Sequence, residues 1–165
     1  MNTLTSFGLA AFMAASAAFA AQAAETAYSG TFCGHTKTTM LQANSDATVF
    51  QFESWNIQTP DSGFKPWENA SNHCIAYYRI TQGKATAIGS CLWTDSDGDT
   101  FIGELSQAPD RANVWTFLAG TGKWKGITGG GTWQRVAAGK NGADGSGAGC
   151  ISHSCISHSG KYTLP

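Results

Sequence analysis

Apolar and polar residues alternate along most of this chain in short runs that end at Gly, Asn, Asp or Ser. A period of two places alternate side chains on one face of a β-strand. The pattern predicts strands at Thr26–Phe32, Thr38–Leu41, Thr48–Ile57, His73–Thr81, Thr86–Thr94, Thr100–Leu105, Val114–Ala119, Trp124–Thr128, Gly131–Val136 and Gly160–Leu164. Few segments carry a helical period. Gln58–Asn72 holds Pro60 and Pro66 and reads as a long loop. Ala137–Gly149, rich in Gly, Ala and Asn, reads as a mobile surface loop. The fold class is all-β.

One hairpin can be placed in register. Gln82-Gly83 forms a two-residue turn between Thr81 and Lys84. Counting outward, Tyr78 faces Ala87, Ala76 faces Gly89 and Cys74 faces Cys91. The last pair falls at a non-hydrogen-bonded rung, where Cα atoms lie about 4.5 Å apart, close enough for a disulfide. The face of Cys74, Ala76, Tyr78 and Ile80 continues as Ala85, Ala87, Gly89, Cys91 and Trp93. It is apolar and rich in small residues, which suits the tapering inside of a barrel.

The segment Gly120–Trp133 repeats glycine among threonine and tryptophan outside any helical period. Glycine permits positive φ and close backbone approach, and the other two favour strands. A tight turn, a glycine kink and a strongly curved sheet follow. Asp95-Ser96-Asp97-Gly98-Asp99 has the spacing of a calcium loop's start, but Ser106 stands where the twelfth-position carboxylate belongs. A polar hairpin turn is the better reading.

Phe7–Ala20 is an alanine-rich apolar run too short for a membrane span of about 20 residues. Small residues after it fit signal cleavage, so 1–23 reads as an export signal and 24–165 as one domain. About 140 residues suit a single core. Charged residues make up 13% and the formal net charge is −1, which leaves no basic stripe for nucleic acid. No second long apolar run predicts a membrane span. The oligomeric state is left open.

All five cysteines, Cys33, Cys74, Cys91, Cys150 and Cys155, follow the signal. An exported protein meets an oxidising compartment, where disulfides persist. Cys150-Ile151-Ser152-His153-Ser154 is repeated at once as Cys155-Ile156-Ser157-His158-Ser159. Each unit has Cys-x-x-His spacing, which suggests a metal ligand set. On a strand, however, residues three apart point to opposite faces. The expectation is no metal and no cofactor, with one copy supplying a partner for Cys33 and the other a spare thiol. No nucleophile elbow or phosphate loop is present.

Phe117–Gly129 resembles the Gly-Thr-Gly-x-aromatic-x-Gly hairpin of allene oxide cyclase-like and dirigent-like barrels, including small exported bacterial members with an Asp-x-Asp-Gly-Asp turn. The resemblance implies a small antiparallel, about eight-stranded closed β-barrel with an apolar cavity. Plant members steer cyclisation or coupling of reactive apolar molecules, but none of their steering residues maps to a position here. The expectation is therefore a barrel that binds a small apolar or aromatic molecule, lined by Tyr78 and Trp93. A cofactor-free isomerase or cyclase is the second reading and needs a polar group inside, with Glu53, Arg79 and Glu104 as candidates. An envelope protein with a filled barrel is the third.

Overall fold

The structure, a computed structural model, describes residues 23–43, 46–59, 65–139, 142–143 and 149–165. The expected export signal lies outside the described residues apart from Ala23. Among the described residues nine strands follow in chain order: β1 (Glu25–Ala43), β2 (Ala47–Gln58), β3 (Ser71–Thr81), β4 (Lys84–Thr94), β5 (Thr100–Gln107), β6 (Val114–Gly120), β7 (Thr128–Ala138), β8 (Gly142–Ala143) and β9 (Gly149–Thr163). Each of β1 to β7 pairs with the next, β7 pairs with β9, and β9 returns to β1. All pairings are antiparallel. The result is an eight-stranded closed barrel, with β8 a two-residue addition beside β9. Closure gives each of the eight barrel strands a paired neighbour on both sides.

Most expected strands are present. Ala137–Gly149, expected as a mobile loop, holds among its described residues the end of β7, the whole of β8 and the first residue of β9, because β9 offers these segments a strand to pair with. Three further details differ, each for a physical reason. Thr26–Phe32 and Thr38–Leu41 are one continuous strand, β1, because Cys33–Lys37 pairs on both sides, with β2 and with β9. Trp124–Thr128 is not a strand. It is a 3-10 turn at Gly122–Trp124 followed by a loop that buries Trp124 and Ile127. The C-terminal strand begins at Gly149 and absorbs the tandem repeat. Its Cys, Ser and His residues lack the apolar alternation that marks the other strands.

The β3–β4 hairpin has the expected register, with Gln82 and Gly83 both at positive φ as a two-residue turn of this kind requires. Cys74–Cys91 is a disulfide across it, and Cys33–Cys155 is a second across β1 and β9. The glycines of Gly120–Trp133 shape the wall. At Gly131 a Cβ would collide with the Ser159 carbonyl, and at Gly160 with the Gly130 carbonyl. Their absence of side chains lets β7 and β9 close against each other. Among the described residues no helix is long and apolar enough to cross a membrane.

One end of the barrel is plugged. The connection after β2 folds a 3-10 turn, Lys65–Trp67, beneath the barrel and pushes Trp67 inside, fully buried. Its indole meets Tyr28 at 4.5 Å, Phe101 at 5.2 Å and Phe117 at 5.9 Å between ring centroids. Trp124 and Tyr162 complete this aromatic core. Such ring clusters combine large buried apolar area with favourable edge-to-face contacts.

The Asp95 turn locks the same end. Asp95 Oδ1 accepts the amides of Asp97 and Asp99 at 2.9 and 3.0 Å, and Oδ2 accepts the Trp124 indole N–H at 2.6 Å. Lys123 Nζ lies 2.9 Å from Oδ2. Burial pushes the Asp95 carboxyl up, but hydrogen bonds from Lys123, Trp124 and Asp97 outweigh it and hold the group below its ordinary value. This acidic turn is a latch on the barrel floor, in keeping with the polar hairpin turn read from its sequence.

Candidate functional site

Above the plug the barrel is hollow. A cavity of about 360 Å³ occupies the half nearer the end where β1 finishes and β2 begins. Two features of the sequence leave this room. The inward face of β3 and β4 carries Ala76, Ala87 and Gly89, so little side-chain volume projects there. The inward face of β9 and β1 carries Ser152, Ser154, Thr36 and Thr38, which are also short.

The cavity is graded in polarity. Its floor is made by Phe32, Trp93, Trp115 and His158. One wall is aromatic: Phe50 stacks on Tyr78 with centroids 5.2 Å apart and planes 8° apart, and Phe52 packs on the same ring at 5.3 Å. The adjoining β1 and β9 present the hydroxyls of Thr36, Thr38, Ser152 and Ser154, and β2 adds Ser54 and Asn56 beyond its two phenylalanines. Arg135, on an exposed stretch of β7, reaches the lining near the mouth. Burial pushes the Tyr78 phenol up, and the positive charge of Arg135 opposes the shift. Among the described residues Arg135 has no carboxylate partner.

His158 is the one histidine inside the barrel among the described residues, and it is 5% exposed. Its ring stacks on Trp67 at 5.4 Å and Trp93 at 5.6 Å, and meets Phe32 edge-on at 5.3 Å. Nε2 donates to Gln58 Oε1 at 3.0 Å. That bond fixes the tautomer and leaves Nδ1 as an acceptor, with no hydrogen-bond partner among the described residues. Burial lowers the imidazole pKa to about 4. His158 is therefore a neutral base in the floor of an apolar cavity at physiological pH. The Trp93 indole N–H is also buried without a partner.

Tyr78 and Trp93, the two lining residues expected from the hairpin pattern, both face this cavity. The Cys74–Cys91 disulfide forms part of its wall. Glu53, Arg79 and Glu104 do not meet the condition set for a catalytic group. Glu53 stands on the outward face of β2 and bonds His73 Nε2 at 2.8 Å. Arg79 and Glu104 are exposed on the outward faces of β3 and β5. The sequence pattern does not single out His158, because the Ser and His residues of the repeat carry no apolar alternation to mark which face is inward. A five-residue period on a two-residue strand alternates faces, so His153 points out and His158 points in.

No family model matches this chain, and no curated protein matches it.

Proposed function

We propose that this barrel is an exported module that holds a small apolar or aromatic molecule in its interior. The observation that carries the reading is the hollow half of the barrel. Its volume of about 360 Å³ falls in the range of small-molecule sites, roughly 300–1,000 Å³. Aromatic rings dominate its floor and one wall, while a few polar groups stand at defined positions. That combination supplies affinity through burial and orientation through hydrogen bonds. The hairpin resemblance to allene oxide cyclase-like and dirigent-like barrels is in keeping with such a cavity. Two disulfides suit the oxidising environment that export would bring. A hollow centre weighs against a purely structural envelope protein with a filled barrel.

A second reading, a cofactor-free isomerase or cyclase, draws its support from His158. A neutral imidazole in a water-poor pocket can take a proton from a bound molecule. Glu53, Arg79 and Glu104 face outward and cannot serve this role.

Binding is tested by titrating naphthalene against intrinsic tryptophan fluorescence. We expect a saturable change in the native protein. In Ser154→Trp, which fills the cavity from β9, we expect the change to be lost while the fold is kept. A non-saturable response, or an equal response in the variant, would contradict the reading.

A further inference from the structure

The outer face of the β1–β9 ladder carries a second set of chemical groups. Cys33 pairs in register with Cys155, and two positions along the same ladder His35 pairs with His153. All four positions share one face, because residues i and i+2 of a strand point the same way. The Cys33 and Cys155 Cα atoms are 4.1 Å apart, and the two imidazole centroids are 6.4 Å apart. Both histidines are exposed, and neither imidazole has a hydrogen-bond or ion-pair partner among the described residues. Trp55 stacks on His35 at 5.1 Å and supports one side of its ring. Cys33, His153 and Cys155 also line a shallow groove bounded by Ala137 and Ala138 of β7.

The ladder answers the objection that a Cys-x-x-His unit divides its ligands between two faces. The units that converge are Cys33-Gly34-His35 on β1 and His153-Ser154-Cys155 on β9, the latter spanning the junction of the two repeats. Two Cys-x-His pairs running antiparallel put cysteine opposite cysteine and histidine opposite histidine. Two sulfurs and two imidazoles are the donor set of a tetrahedral zinc site.

We propose that reduction of Cys33–Cys155 opens a Cys₂His₂ zinc site on the barrel wall. With the disulfide closed, no group of three or more His, Cys, Asp or Glu among the described residues could hold a metal ion. A dithiol reductant supplies two electrons and two protons. The S–S bond breaks, two thiols form, and the reductant becomes a disulfide. Zn²⁺ then displaces both thiol protons, forms two Zn–S bonds and takes one nitrogen from each of His35 and His153. Cys74–Cys91 is buried and stays closed under mild reduction. The site thus reports the redox state of its surroundings by holding or releasing a metal.

The test uses Co²⁺ as a coloured stand-in for Zn²⁺, in a Cys150→Ser background that removes the remaining cysteine. Mildly reduced protein should take up Co²⁺ with thiolate-to-cobalt charge transfer and tetrahedral ligand-field bands, and Zn²⁺ should displace it. Oxidised protein should show neither. His35→Ala and His153→Ala should each weaken binding about tenfold or more. Added Zn²⁺ should also protect Cys33 and Cys155 from alkylation in reduced protein that lacks neither histidine. Failure of reduced protein to give the charge-transfer band overturns the proposal. So do unchanged affinity in both histidine variants, or alkylation indifferent to Zn²⁺.

Discussion

His158 donates its Nε2 proton to Gln58 Oε1 across 3.0 Å, joining residues 100 positions apart inside the barrel. The bond links the last strand to the end of β2, where the chain turns under the floor. It places a titratable ring against Trp67 and Trp93 with almost no access to water.

The first expectation concerns acid. The imidazole pKa is about 4 in the folded protein, against about 6.5 for an unperturbed histidine. Between these values the unfolded chain binds a proton that the folded chain does not. The stability linked to His158 is therefore complete above pH ~6.5 and is lost as pH falls toward ~4, by roughly 3 kcal/mol in all. Urea denaturation at a series of pH values should show this slope. In His158→Gln the slope across that window should flatten.

Asp95 acts in a lower window. Its folded pKa is held below the ordinary value, so its contribution is present above an unfolded pKa of ~3.9 and fades as pH falls further. Asp95→Ala removes the acceptor for the buried Trp124 indole and two amides. We expect a cost of about 1–3 kcal/mol at neutral pH, measured by urea denaturation. Trp124→Phe, which loses one hydrogen bond while keeping an aromatic ring, should cost less.

The two disulfides should differ in worth. Cys33–Cys155 closes a sequence separation of 122 and Cys74–Cys91 one of 17. In the chain-entropy account these correspond to about 5 and about 3 kcal/mol. Paired Cys→Ala variants, compared by urea denaturation, should rank in that order.

Much of this fold was legible in the sequence. The β3–β4 hairpin could be placed because Gln82-Gly83 fixes the turn and alternation fixes the faces, and both cavity residues expected from it lie where the pattern puts them. The glycine-rich Gly120–Trp133 stretch marked a curved wall. What escaped was β9. Its Ser and His residues carry no apolar signal, and the repeat hides a change of face between its copies. Ile151 and His153 lie outside, whereas Ile156 and His158 lie within. The plug escaped as well. Trp67 sits alone in a proline-containing connection, and no local period announces that it fills the barrel from below. Tertiary packing alone decides such a position.

The central claim is that the barrel interior is the binding site. The most direct measurement is a set of NMR chemical-shift changes on adding naphthalene to isotope-labelled protein. Ring currents should shift the side-chain signals of inward Tyr78, Trp93 and Trp133. The signals of their outward neighbours Tyr77 and Leu92 should scarcely move. Saturable shifts confined to the inward set are the predicted result. Shifts confined to the outward set, or none at saturating naphthalene, would contradict the account.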